Sequence, residues 1–404
     1  MDRPGPRAVL ALRNFRLLLI GRAVSALGDR MVSVALAFAV LEIDGSPTEV
    51  GLVLAARTLP LAACLLLGGV VADRVSRRSV MVVSDLVRLA SQGLMAGLLI
   101  AGAADVWTIA VLAGITGAAG GFFNPAAVGL LPGIVSPEHL QQANGIRAAV
   151  YSVSEIAGPI LAGILIAGFG AGWALGIDAA TFAISAAFLA ALHVAPHAER
   201  AATTFLADLR AGWDTFRSYT WVWTFVVWAA VANLVWGAWS VLGPVIADRE
   251  LGGAAAWGFI LGALGVGALI GAVAAIRGTL HRPMLMVAWT CFFAVPGFVL
   301  LAVGAPTGLI ALASVLNGFA MMFGNTVWEA TLQAHVPIES LSRVSAYDWF
   351  GSIVFAPVGA ALWGPLADLM GLEPALLLAA GLTFAAAAAL LVVPDIRHLR
   401  SATH

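Results

Sequence analysis

Long apolar segments alternate with short polar connections along the whole chain, and this pattern predicts a protein that crosses a membrane many times. An α-helix needs roughly 20 apolar residues to span a bilayer, and breaks at charge, glycine and proline clusters separate about twelve such segments. The predicted spans lie near residues 15–40, 48–71, 80–102, 106–128, 141–168, 172–193, 221–247, 255–276, 284–303, 307–334, 341–367 and 371–393. The predicted fold class is therefore all-α, a polytopic membrane protein.

The composition supports the membrane class and limits the partners. Of 404 residues, 61% are hydrophobic and 11% are charged, whereas soluble domains contain about 25% charged residues. The net charge of −1 argues against a nucleic-acid partner. Cys64 and Cys291 lie in apolar segments without metal-ligating neighbours, so we expect no metal and no cofactor. The expected partners are the lipid bilayer and a small-molecule substrate, and we expect a monomer.

The arginines predict the orientation of the chain. If the N-terminus is cytoplasmic, the loops and tails on the inner side hold nearly all arginines outside the spans, and Arg249 is the exception. The positive-inside rule then places both termini in the cytoplasm and requires an even number of spans. The first apolar run, about 25 residues long, exceeds a signal-peptide core, so we expect it to be retained as a span.

The chain divides into two similar halves. We predict an N-terminal six-helix bundle over residues 1–193, a cytoplasmic linker with a short amphipathic helix over 194–220, and a C-terminal six-helix bundle over 221–404. "FFNPAAVGLLPGIVSPEHL" (122–140) aligns with "FGNTVWEATLQAHVPIESL" (323–341), 201 residues later. Two halves of six spans have the same orientation, and such parallel repeats hold their substrate between them near mid-membrane.

The polar loop after the second span carries a recognisable motif. "GGVVADRVSRR" (68–78) resembles the loop signature of the major facilitator superfamily, with Ser76 where that signature usually has glycine. The residues at motif positions are Gly69, Asp73, Arg74, Arg77 and Arg78. The resemblance implies a secondary transporter whose two halves rock about a central site.

Two further segments resemble parts of that superfamily. "EIAGPILAGIL" in span five is similar to a shortened antiporter motif, with Gly158, Pro159 and Gly163 at its positions. "FFNPA…LLPGIV" resembles the bacterial branch of macrolide-efflux and enterobactin-exporter-like proteins. Span four lacks the arginine that many drug–proton antiporters carry there.

The acid in the loop needs an explanation beyond orientation. Arg74, Arg77 and Arg78 are explained by the positive-inside rule, but Asp73 adds nothing to that bias. The N-terminus of span eleven, which Ser340 or Ser342 would cap, favours a nearby anion. We therefore predict that Asp73 latches one conformation, a role that the resemblance also implies. Asp85 and Arg88, one turn apart in span three, are expected to brace this loop.

Charged residues inside the spans of the first half are candidates for a pathway or a proton relay, because they are costly in lipid. Arg22 and Asp29 share a helical face with Ser25 and Ser33. Two interpretations stay open for Asp29, a cavity-facing carboxylate or a structural pair with Arg57.

Other polar residues carry expectations of their own. Span five contains Arg147 and Glu155, and Glu155 is either a proton-coupling site or a packing partner of Arg147 or Arg22. Asp178, near the outer end of span six, is expected to reach interfacial water. The second half supplies candidate gate residues between the halves, namely Asn325, Glu329 and Asp348.

Span seven is rich in tryptophan. Trp221 and Trp223 fit a membrane-interface belt. Trp228, Trp236 and Trp239 lie deeper, and either stack on an apolar or cationic drug or face lipid.

The expected function is secondary transport across a bacterial inner membrane. Among transport functions, we favour proton-driven efflux of a hydrophobic drug-like or siderophore-like molecule. The sequence contains no nucleotide-binding loop or nucleophile constellation that would suggest an enzyme. The alternatives are an importer of a small metabolite, a non-transporting sensor and a lipid flippase.

Overall fold

The computed structural model of the protein describes residues 6–193, 213, 216–278 and 280–401. Within these residues, twelve helical segments are long and apolar enough to cross a membrane. The first half contains α1 to α7, which are Pro6–Ala11, Arg13–Leu41, Pro47–Arg74, Arg77–Ile100, Val106–Leu130, Leu140–Phe169 and Ala171–Ala190. The second contains α8 to α16, which are Thr220–Ile246, Ala254–Arg277, Pro283–Thr290, Val295–Ala302, Thr307–His335, Ile338–Ile353, Ala356–Met370, Leu372–Val392 and Pro394–His398. The predicted all-α membrane fold is confirmed.

Local caps explain where several spans begin. Ser46 and Glu49 form a capping box at the start of α3, with the Ser46 backbone N–H donating to Glu49 Oε2 at 2.7 Å. Asp105 caps α5 by accepting from the Thr108 backbone N–H at 2.9 Å. Such caps satisfy backbone donors that the helix itself leaves unpaired.

Two predicted spans are interrupted rather than continuous. Span nine contains a 3₁₀ segment, Cys291–Ala294, between α10 and α11. Span eleven consists of α13 and α14, which are separated before Pro357 in the first turn of α14. Proline lacks an N–H and its ring clashes with the preceding turn, so a helix tends to end before it. The predicted Ser340 or Ser342 cap is wrong, because α13 begins at Ile338 after Pro337.

Residue contacts divide the chain into two compact units. Unit 1 comprises Met1–Arg200 with Gly253–Gly258, and unit 2 comprises Ala201–Gly252 with Phe259–His404. The predicted amphipathic linker helix lies almost entirely outside the described residues.

The internal repeat is visible in the packing of each unit. In unit 1, Gly117 on α5 lies against the Arg57 carbonyl of α3, leaving no room for a Cβ. In unit 2, Gly318 on α12 lies against the Leu264 carbonyl of α9 in the same way. These two glycines are 201 residues apart, the spacing of the sequence repeat. Each unit therefore brings its second and fourth spans together through a glycine.

A second pair of glycines repeats at the same spacing. Gly170 joins α6 to α7 at φ 88° and ψ 164°, and Gly371 joins α14 to α15 at φ 92° and ψ 159°. Positive φ of this kind is open to glycine and strained for other residues. The last turn of each half thus has the same backbone form.

Candidate functional site

Charged side chains from four spans of unit 1 converge in what we call the buried charge cluster. Its members come from α2, α3, α4 and α7 and are Arg22, Asp29, Arg57, Asp85, Arg88 and Asp178. They lie well inside their helices rather than at the ends. Ionisable groups at such depth are costly unless they pair or line a pathway.

Asp29 and Arg88 form the centre of the cluster. The Arg88 guanidinium bonds to Asp29 Oδ1 across α2 and α4, and its Nη1 also donates to Asp85 Oδ1 at 3.3 Å. Arg57 Nη2 lies 4.0 Å from the same Asp29 oxygen. The Asp29 side chain is 27% exposed, whereas the Asp85 side chain is fully buried. Asp29 is therefore the more accessible of these two acids.

This arrangement corrects one prediction and extends another. Asp85 and Arg88 do not brace the signature loop, because Arg88 lies about 16 Å along α4 from Arg77 and turns toward Asp29. Asp29 does approach Arg57, but its closer partner is Arg88, which the sequence pattern did not suggest.

Aromatic rings line the cationic part of the cluster. The Arg88 guanidinium carbon lies 3.9 Å from the Phe182 ring centroid, and the Arg22 guanidinium carbon lies 4.7 Å from that of Phe123. Arg22 also donates to the Tyr151 hydroxyl. Cation–π contacts contribute up to about 2 kcal/mol when they are desolvated. The rings therefore offset part of the cost of burying these arginines.

Asp178 is buried on a face of α7 that packs inside unit 1. Its side chain has no exposed surface, which contradicts the expectation that it reaches interfacial water. Gln92 Nε2 on α4 donates to Asp178 Oδ2 at 2.7 Å, and Thr181 Oγ1 lies 3.2 Å from Oδ1. Both partners are neutral side chains. Gly28 on α2 faces the same carboxyl, because a Cβ at this position would collide with Oδ1.

Glu155 in α6 has a partner that the sequence reading missed. It pairs with Arg30 on α2 at 2.7 Å, and not with Arg147 or Arg22. Arg147 instead bonds weakly to Asn144 at 3.4 Å. The reason is geometric, because α2 and α6 approach closely where Gly158 meets Arg30. The motif residues Gly158, Pro159 and Gly163 are all buried on α6.

The arginines of the signature loop hold the ends of two neighbouring helices. Arg77 donates to the Gly129 carbonyl at the end of α5. Arg78 donates to the Leu189 carbonyl at 3.0 Å and to the Ala190 carbonyl at the end of α7. Carbonyls at helix C-termini carry partial negative charge, so cations are favourable there. These contacts tie the loop to unit 1.

The proposed latch itself stays a prediction. The surroundings of Gly69 and of the Asp73 side chain lie outside the described part of the structure, and Arg74 is exposed.

The tryptophans of α8 divide into different environments. Trp239 is 1% exposed and packs edge-on against Phe298, so it is a core residue of unit 2 rather than a drug-stacking or lipid-facing one. Trp236 stacks on it at 6.2 Å, and Trp228 packs on Phe225. Trp221 is also buried, which contradicts its assignment to an interface belt.

The candidate gate residues of unit 2 share no single site. Asn325 and Glu329 are exposed on α12. Asp348 on α13 accepts a hydrogen bond from Trp328 Nε1 at 2.9 Å within unit 2. Their role between the halves remains a prediction.

Comparison with known protein families identifies the fold. A family profile described as Major Facilitator Superfamily matches residues 18–354. The chain belongs to the major facilitator superfamily. The multidrug efflux pump Tap of Mycolicibacterium fortuitum is 28% identical over 373 residues, covering 88% of this chain and 90% of Tap. The enterobactin exporter EntS of Escherichia coli strain K12 is 27% identical over 395 residues, covering 96% of this chain and 93% of EntS.

Solved structures show the same architecture. The nucleoside transporter NupG superposes with a TM-score of 0.74 at 15% identity, covering 94% of this chain and 98% of NupG. A bacterial homolog of the lysosomal transporter Spinster gives 0.71 at 11% identity, covering 95% and 98% of the two chains. At such identities the likeness concerns the fold alone. Superfamily membership and the twelve candidate spans among the described residues make the chain a membrane transporter, and its bacterial relatives indicate the plasma membrane.

Proposed function

We propose that this major facilitator protein is a proton-coupled exporter of hydrophobic, drug-like or siderophore-like small molecules. The observation that carries the proposal is the buried charge cluster, in which Asp29 bonds to Arg88 and remains 27% exposed. A carboxylate at this depth is costly unless it pairs or lines a pathway. Asp29 is paired and also partly exposed, and the exposure supports a role in a pathway.

The direction and the cargo class rest on the relatives. Tap is named a multidrug efflux pump and EntS an enterobactin exporter, and each aligns over most of its length. Two relatives that export favour export here, with both termini in the cytoplasm as the arginine distribution predicts. Their names also favour cargo of drug-like or siderophore-like size.

Transport in reconstituted vesicles tests the proposal. Purified protein in proteoliposomes should move ethidium or enterobactin in the direction opposite to the protons that flow down an imposed gradient. A protonophore should abolish this movement. Flux of either probe in the same direction as protons would favour an importer. Movement of a labelled phospholipid without flux of either probe would favour a flippase, and no flux at all would favour a sensor.

A matched pair of variants links that flux to the cluster. Asp29→Asn removes the partly exposed ion-pair partner of Arg88 and should abolish gradient-driven flux. Glu373→Gln changes an exposed carboxylate in the first turn of α15, and this variant should retain gradient-driven flux. Equal flux in both variants would count against a role for Asp29.

A further inference from the structure

The Asp178 carboxyl has surroundings that suit a neutral acid better than an ion. Its side chain is fully buried, and the hydrogen bonds described for it come from Gln92 and Thr181 alone. The ion pairs described in the cluster join Asp29 and Asp85 to Arg57 and Arg88, and Asp178 takes part in none of them. A buried carboxylate without a cation in contact is strongly unfavourable.

The Thr181 hydroxyl lies near two oxygens of Asp178 and can donate its hydrogen fully to one of them. Thr181 Oγ1 lies 2.7 Å from the Asp178 backbone carbonyl and 3.2 Å from Asp178 Oδ1. A hydroxyl has one hydrogen to donate, and the shorter contact to the carbonyl uses it. With that hydrogen used, the hydroxyl oxygen is able to accept from Oδ1 when the carboxyl is protonated there. Oδ2 accepts from Gln92, as the carbonyl oxygen of a neutral acid does.

The backbone of α2 fills the space on one side of Oδ1. Gly28 on α2 presents its Cα to this oxygen, so the space of a side chain is already filled. The charged groups that act on Asp178 are Asp29 on α2, Arg57 on α3 and Arg88 on α4. On α6, which also packs against α7, Glu155 is held by Arg30, and Arg147 bonds to Asn144.

We propose that Asp178 is the proton-carrying group of this transporter, an inference that rests on the proposed proton coupling. Oδ1 holds the proton in the state described here. When access alternates, the O–H bond breaks, the proton passes to water on one side, and the carboxylate keeps its bond from Gln92. A proton from the other side then restores the O–H bond. One proton crosses per cycle, and no other bond changes.

Infrared spectroscopy of the purified protein tests the protonation without any transport. Wild type at neutral pH should show the carbonyl stretch of a protonated carboxyl, and Asp178→Asn should lose that signal. Glu373→Gln should retain it. An undiminished band in Asp178→Asn would overturn the proposal, whatever the cargo or the coupling ion.

A second variant tests the direction of the Thr181 hydrogen bond and keeps the shape of the side chain. Thr181→Val removes the acceptor for Oδ1–H, so the band should titrate away at a pH about 0.5–1 unit lower than in wild type. A shift to higher pH would mean that Thr181 donates to a carboxylate, and it would overturn the proposal.

A transport assay distinguishes a failure of this inference from a failure of the proposed function. In proteoliposomes, Asp178→Asn should lose ethidium accumulation driven by a proton gradient and keep downhill ethidium movement. Wild type without gradient-driven accumulation would contradict the proposed coupling. A coupled wild type with an equally coupled Asp178→Asn would contradict the assignment of Asp178 alone.

Discussion

The guanidinium of Arg30 on α2 lies 2.7 Å from the carboxylate of Glu155 on α6, and both side chains are 44% exposed. The pair links α2 to α6 inside two candidate spans. Its value for transport depends on whether Glu155 acts as a partner or as a proton site.

Exchanging the two charges distinguishes these roles. Arg30→Gln and Glu155→Gln should each lower the unfolding temperature slightly, and the double variant Arg30→Glu with Glu155→Arg should restore it because the pair is rebuilt. We expect gradient-driven flux to return with the double variant, as a pairing role requires. Restored stability without restored flux would instead make Glu155 a proton site.

Arg88 should be the most sensitive arginine of unit 1. Arg88→Gln leaves Asp29 and the fully buried Asp85 without their main cation, and breaking a buried pair costs about 3–5 kcal/mol. Thermal unfolding in detergent should show this loss. The matched control Arg282→Gln, at an exposed position before α10, should change stability by less than about 0.5 kcal/mol. Similar losses in the two variants would argue against a central role for Arg88.

Gly28 should tolerate no side chain. Gly28→Ala places a methyl group against Asp178 and Thr181, and overpacking of this kind destabilises by about 1–3 kcal/mol. Gly97→Ala on α4 is the control, because a Cβ there meets nothing within 4 Å. It should stabilise by about 0.4–1 kcal/mol through its effect on the unfolded chain. Both effects can be read from unfolding midpoints, and a neutral Gly28→Ala would show that α2 and α7 are not in close contact here.

Asp105 should make the start of α5 sensitive to acid. Hydrogen bonds from the Thr108 backbone N–H and hydroxyl lower the pKa of Asp105 below its ordinary value. The carboxylate therefore contributes stability in full above the unfolded pKa of about 3.9, and that contribution declines as the pH falls through the lower folded pKa. Asp105→Asn lacks this titration, so its unfolding curve should converge with that of wild type in acid. A constant difference at every pH would contradict this.

The spans were predictable because each needs only a long apolar segment. The repeat was predictable because similar segments, beginning at Phe122 and Phe323, stand 201 residues apart. The breaks inside spans nine and eleven were not, since a proline such as Pro357 is compatible with either a kink or an interruption.

The charge cluster was predictable only in part. Spacing along one helix placed Arg22 and Asp29 on a common face, but which helices turn toward that face depends on their rotation about their axes. Arg88 and Asp178 were misassigned for this reason. A signal was present, because Asp178, Thr181 and Ser185 recur at helical spacing on span six. A polar stripe on an otherwise apolar span indicates a buried face better than an aqueous end.

The two units differ in the spectroscopic signals they produce. Of 13 tryptophans, Trp107, Trp173 and Trp257 belong to unit 1, and the remaining ten belong to unit 2. The carboxyls of the charge cluster belong to unit 1. Intrinsic tryptophan fluorescence of the unlabelled transporter will therefore report mainly on unit 2. The carboxyl vibrations of the cluster will report on unit 1. Time-resolved recording of both signals after mixing with cargo offers a way to order events in the two halves.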